Sequence, residues 1–245
     1  MTALVHLPVA FLGSFGDAFE FIVSGQESPL ARGEVGGLDQ VWDLFLTHAA
    51  LSAAAMALAL AIALPLGIYL GHRGRGELFA VAAGNAGRAL PELVLIALFV
   101  AFVGTGFDNV VIALMILGVP PILTNTFVGI KQVDRTAVEA ARGMGMSERA
   151  IALRIELPLA APTIMTGVRT SAINIIATAA IAPLASVDTL GRFILAPNVY
   201  GDAGVIAGAI LIALFALAVE LGLAGLQSAL TPKGVKLQRQ ALETA

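Results

Sequence analysis

The polar positions of this chain are gathered into short segments. Between them lie unbroken apolar runs long enough to cross a bilayer, which takes roughly 20 residues. Five runs qualify: about Leu46–Leu70, which contains Pro65; one within Leu78–Val103; about Val110–Ile130, with Pro120 and Pro121 inside it; about Pro162–Leu184; and about Val205–Leu230. Each is predicted to be helical, because backbone groups in hydrocarbon have no water to bond with. The second run carries Arg88 at its middle, next to Ala89-Leu90-Pro91. A charge at the bilayer centre is costly, so this run is split into an interfacial helix to about Gly87 and a span from about Leu90. The predicted fold class is an all-α integral membrane protein of about five transmembrane helices, with one long cytoplasmic loop between the third and fourth.

Composition supports this pattern. Hydrophobic residues make up 58% of the 245 and charged residues 13%, about half the charge of a soluble domain; the mean hydropathy is +0.90. The net charge of −3 gives no sign of a nucleic-acid partner. With no cysteine there is neither disulfide nor thiolate chemistry. Residues Met1–Gly25 lack a basic n-region and are interrupted by His6, Pro8, Asp17 and Glu20, so they do not read as a secretory signal. Either an interfacial helix or a poor extra span fits there, the interfacial helix being preferred, followed by a polar, glycine-rich loop over residues 26–40. The chain thus divides into an external or interfacial segment (1–40), a transmembrane region (41–232) whose largest loop is 131–161, and a tail (233–245).

Basic residues set the orientation. One side receives His72, Arg73 and Arg75, then Lys131, Arg135, Arg142, Arg149 and Arg154, then Lys233, Lys236 and Arg239; the loops of the other receive Arg32 and Arg192. The richly basic side is expected to be the cytoplasm. With five spans the N-terminus is then outside and the C-terminus inside. The external loops are Gly104–Asn109 and Ser186–Gly204.

The loop between the third and fourth runs reads VDRTAVEAARGMGMSERAIALRIELPLAAP. Ala140 and Ala141 are small helix formers that let another surface approach closely. Gly145 is able to take positive φ and end a first short helix. Ser147 is a candidate N-cap for a second, and Pro158 is expected to stop that second helix before the fourth span. The expected result is a helix-turn-helix knob able to sit in a partner's groove. Within it Glu139, Ala140, Ala141, Gly145, Ile155, Leu157 and Pro158 form E-A-A-x3-G-x9-I-x-L-P, seven fixed positions over twenty residues.

That spacing resembles the coupling motif of permeases in binding-protein-dependent ABC importers. The resemblance runs over about residues 46–234 and is strongest to the glycine betaine, carnitine and choline (osmoprotectant) subfamily. It is carried also by Leu64-Pro65-Leu66-Gly67, Arg88-Ala89-Leu90-Pro91, Asn125-Thr126, Gly129-Ile130, Val133-Asp134, Gly167-Val168-Arg169-Thr170 and Leu230-Thr231-Pro232-Lys233-Gly234. It departs at Ser186-Val187-Asp188-Thr189-Leu190-Gly191, where the subfamily has a small-residue A-G-G-L-G stretch. It implies a type I importer permease fold in the bacterial inner (plasma) membrane, with residues 139–158 coupling to an ATPase. The alternative within transport is the same architecture carrying an amino acid or another small solute.

The sequence has no G-x-x-x-x-G-K-[ST] phosphate loop, so ATP hydrolysis is expected from a separate subunit. The resemblance implies an ATPase pair, a second permease of the same or a related chain, and an external solute-binding protein. No cofactor and no metal site are expected, and no nucleophile–base arrangement suggests an enzyme. A secondary carrier would need more spans and internal repeats.

Several residues inside the runs stand out. Arg169 and Glu220 are intramembrane charges at similar depth, roughly 10–15 Å from the cytoplasmic ends of their spans, and are candidates for an ion pair or a shared polar cluster. Thr124, Asn125, Asn174 and Thr178 could line a pathway or bond neighbouring helices. Gly204-x-x-x-Gly208 suits close helix packing. His48 and Asp43 are expected at the interface. The aromatic residues Trp42, Tyr69 and Tyr200 form no evident cage for a quaternary ammonium group.

Overall fold

The computed structural model describes residues 14–78, 80, 82, 84–85, 91–232 and 234. Arg88 to Leu90, the first 13 residues and the basic tail positions Lys233, Lys236 and Arg239 lie outside them. The described residues are mostly helical. Helix α1 covers residues 14–23. A two-stranded antiparallel hairpin follows, β1 (Gln26–Glu27) on β2 (Glu34–Val35). Then come α2 (Gly37–Arg73); α3, which comprises the described residues among 77–85; α4 (Glu92–Phe102); α5 (Phe107–Lys131); α6 (Arg135–Gly143); α7 (Glu148–Ile151); and a π-helical turn (Ala152–Glu156). Helix α8 (Leu157–Ala179), a 3₁₀ turn (Ala182–Ala185), α9 (Gly191–Leu195) and α10 (Pro197–Leu230) complete it.

Among the described residues, four helical segments are long and apolar enough to cross a membrane: Gly37–Arg73, Phe107–Lys131, Glu148–Ala179 and Pro197–Leu230. Gly37–Arg73, Phe107–Lys131 and Pro197–Leu230 contain the first, third and fifth predicted spans and extend past them, whereas the helix of the fourth begins well before Pro162 and ends at Ala179, short of Leu184. The second predicted span is different. Its helix, α4, has 11 residues and a rise of about 16 Å, against a hydrocarbon core of about 30 Å.

Several expectations need correction. Residues 26–40 hold the hairpin and the first turn of α2 rather than a loop. The hairpin is tied down, since Gln26 Nε2 donates to Tyr200 O at 2.8 Å and Ser28 Oγ to Val199 O at 2.8 Å. Ser186–Gly204, read as a loop, contains α9 and the start of α10. Pro197 suits the first turn of a helix, and Gly201 (φ 64°, ψ −179°) kinks it. Pro158 does not end a helix. The π turn before it, in which Leu157 N–H reaches back to Ala152 O, opens the helix enough to admit a ring without an N–H. Helical structure therefore runs unbroken from α7 into α8. His48 is fully buried, not interfacial; its Nε2 lies 3.0 Å from Ile176 O and its ring stands edge-on to Phe215 at 5.8 Å.

The chain forms two compact units, Met1–Ala54 with Glu92–Leu114 and Ile176–Leu217, and Ala55–Pro91 with Met115–Ile175 and Ala218–Ala245. The first unit has a core of Phe21, Phe193 and Tyr200 with Val41, Leu44 and Leu190. The three rings meet edge to face, with centroids 5.0–6.3 Å apart. Tyr200 thus belongs to an aromatic cluster that packs a core, and it is 2% exposed. Gly204 and Gly208 let this cluster close: a Cβ on either would lie within 3 Å of Tyr200 or Phe193. In the second unit, Ile122, Leu123, Ile130, Val138, Ile151 and Ile164 form the core. There Gly67 and Gly71 of α2 meet Thr126 and Ile130 of α5, with no space for a methyl group.

Candidate functional site

The loop between α5 and α8 folds as a knob whose ends are capped by its own sequence. Asp134 caps α6, accepting from Thr136 N–H at 2.9 Å and Thr136 Oγ1 at 2.5 Å. These bonds hold the Asp134 carboxyl below its ordinary pKa. At the other end Gly145 takes φ 82°. Its N–H bonds Arg142 O and the N–H of Met146 bonds Ala141 O, which is the paired closure that a left-handed residue after a helix permits. Ser147 then caps α7, its Oγ accepting from Ala150 N–H at 3.3 Å.

The motif residues separate into two faces. Val138 and Ala141, three apart on α6, turn inward. Glu139 and Ala140 are exposed. Ala141, expected to receive a partner's surface, is 1% exposed and packs in the unit's own core. Gly145 is exposed; Ile155, Leu157 and Pro158 are half-buried. Met144, not singled out in the sequence, is 75% exposed at the tip, an apolar and adaptable contact.

Charges brace the knob. Arg142 donates to Glu148 through Nε (2.8 Å) and Nη2 (3.1 Å), and this carboxylate raises the guanidinium pKa. Glu148 also lies 3.2 Å from His72 Nε2, and Glu156 lies 2.6 Å from His72 Nδ1. Neither carboxylate was legible as a site residue, because their partner is more than seventy positions away at the end of α2.

Of the polar residues inside the spans, some converge and others do not. Arg169 of α8 meets Glu220 of α10, with Nε donating to Oε1 at 2.9 Å and Nη2 to the same oxygen. Arg169 Nη1 donates to Gln227 Oε1 at 2.7 Å, and Gln227 Nε2 donates to Pro162 O at 3.0 Å. Gln227 was missed in the sequence; its place two turns after Glu220 on one helix face was the available signal. Thr124, Asn125 and Asn174 line a separate cavity of about 270 Å³ with Thr170, Gly84 and Pro121. Thr178 is elsewhere, donating to Glu92 Oε2 at 2.6 Å.

Residues 63–233 match the family described as binding-protein-dependent transport system inner membrane component. The chain is similar to the carnitine transport permease protein OpuCB of Listeria monocytogenes, with 35% identity over 207 residues, covering 84% of this chain and 93% of that protein. It is also similar to the choline transport system permease protein OpuBB of Bacillus subtilis (strain 168), with 34% identity over 190 residues, covering 77% and 88%. Among solved structures, an inward-facing MetNI methionine ABC transporter aligns with a TM-score of 0.68 at 18% identity over 80% of this chain and 98% of that one, a likeness of fold. This chain therefore belongs to the family of binding-protein-dependent transport system inner membrane components and is a multi-pass permease subunit of an ABC importer.

Proposed function

We propose that this permease forms the translocation pathway for a small osmoprotectant carrying a quaternary ammonium group, such as glycine betaine, choline or carnitine. The observation that carries the solute class is similarity over more than three quarters of the chain to proteins named for carnitine and choline transport. The partners of this reading are an ATPase pair, a second permease and an external solute-binding protein. The N-terminus lies outside and the C-terminus in the cytoplasm. This orientation counts the short α4 as a crossing beside the four long helices, and the exposed Arg142, Arg149 and Arg154 of the knob, which it gathers on the inner face, support it.

The knob offers Glu139, Ala140, Met144 and Gly145 to the ATPase. Closure of the ATPase on ATP moves the knob, and the unbroken helix from α7 into α8 carries that movement into the membrane. Each state is favoured by differential contacts, and alternation between them moves solute. The 270 Å³ cavity is the candidate path. Thr124 and Thr170 donate their hydroxyl protons to Ala80 O and Thr166 O, and Asn125 donates its amide to Pro121 O. Such groups retain oxygen lone pairs but no formal charge. A lining of this kind accepts polarised N-methyl groups without trapping the cation.

The test is ATP hydrolysis by the complete complex in lipid nanodiscs, titrated with candidate solutes. Stimulation by a betaine-like solute only when the binding protein is present supports the reading. Stimulation by an amino acid instead would discard the osmoprotectant and keep the importer. Failure of any ATPase to bind would overturn the coupling role.

A further inference from the structure

Among the described residues, Glu156 is the one acidic side chain that is buried, at 1% exposure. A buried carboxylate is costly unless paired, and its partner is His72, whose Nδ1 lies 2.6 Å from Glu156 Oε2. The other ring nitrogen lies 3.2 Å from Glu148 Oε2. The ring at the end of α2 is therefore held between two carboxylates of the knob. Through Glu148 the network continues to Arg142 on α6. The π turn at Ala152–Glu156 helps set this geometry. One additional residue in a helical turn rotates everything beyond it by about 100° relative to an uninterrupted α-helix, and Glu156 is the last residue of that turn.

The knob is continuous in sequence with α8 but not with α2. We infer that His72 and Glu156 are positioning residues for coupling: a latch through which movement of the knob reaches the end of α2 as well as α8. This rests on the proposed coupling role of the knob. Cut the latch, and the knob still engages the ATPase while α2 no longer follows. Hydrolysis then continues with less solute moved per ATP, an outcome that simple loss of stability does not produce.

The experiment uses the complete complex in proteoliposomes with glycine betaine as the probe, and reads solute taken up per ATP hydrolysed. His72→Ala and Glu156→Ala should each lower this ratio about fivefold or more, the scale of a lost coupling interaction. Binding-protein-dependent hydrolysis should persist in both. The double variant should be no worse than the more severe single one, as expected for partners in one contact. His72→Gln, whose amide can still donate to Glu156, should recover much of the ratio. Single variants that keep the wild-type ratio, or a double variant that shows the product of both losses, overturn the latch. Should Glu156→Ala fail to assemble, the exposed Glu148 decides: Glu148→Ala should lower the ratio about twofold, by removing one of two partners of His72, and a wild-type ratio there overturns the latch. If the wild-type complex takes up no glycine betaine, the solute reading fails; if it takes up solute without dependence on ATP hydrolysis, the coupling role itself fails; both results are distinct from a coupled wild type with coupled variants.

Discussion

Gly67→Ala tests the packing of α2 against α5. In a helix interior this change ordinarily favours folding, by up to about 1 kcal/mol. Here the new Cβ would lie 2.6 Å from Thr126 Cβ, 2.8 Å from Thr126 Cγ2 and 3.2 Å from Leu123 O. Optimal contact between carbons is about 3.5–4.0 Å, so the helices must part by about 1 Å. Thr126 is buried and β-branched, with little rotamer freedom to yield. Overpacking of this kind costs about 1–3 kcal/mol. Gly222→Ala on α10 is the internal control, because a Cβ there meets nothing within 4 Å. The two variants should therefore differ by about 2–4 kcal/mol. In a chain of this length that is about 5–15 °C in the thermal midpoint. The assay is thermal unfolding of both variants in the same nanodiscs, followed by near-ultraviolet circular dichroism and by retention of a monodisperse elution peak. Equal midpoints would refute the claim that the glycines of α2 exist for close approach.

Gly145→Val forces a β-branched residue to φ 82°, a strain of about 1–2 kcal/mol. Binding-protein-stimulated hydrolysis should fall several-fold, while Gly143→Ala, whose Cβ meets open space, should keep wild-type hydrolysis. Arg169→Glu and Glu220→Arg should each reduce uptake and thermal stability, and the double swap should restore both in part; a double swap no better than either single change argues against the pair acting as a unit. Asp134 has a folded-state pKa depressed below 3.8, so its cap is fully formed above that value and is lost as pH falls through the lower one. Hydrogen exchange of the first α6 amides should therefore be steady from about pH 7 to pH 5 relative to the chemical rate, and should lose protection in Asp134→Ala at all of these pH values.

The membrane class, the four long apolar helices and the knob were legible in the chain because they follow from local chemistry. Apolar length dictates a spanning helix. Gly145 and Ser147 mark the turn and the cap through their own backbone preferences. The seven motif positions are close enough in sequence to be read as one unit. Arg169 and Glu220 were suggested by equal depth, a one-dimensional property of two helices. Boundaries were harder to place. Pro158 reads as a stop until the π turn before it is seen to make room for its ring, and Ser186–Gly204 reads as an external loop until Phe193 and Tyr200 are found packed on Phe21.

By itself, then, the sequence determined what each segment must be: helical in lipid, capped in water, charged on one side. Tertiary structure decided which groups share a partner. Glu156 and Glu148 lie more than seventy positions from His72, Gln227 joins Arg169 across two helices, and Ala141 turns inward although its neighbour Ala140 does not. Those pairings depend on helix rotation and register, where a single residue in a π turn shifts a side chain by about 100°. Local preference sets no such angle; close packing of one helix against the next does.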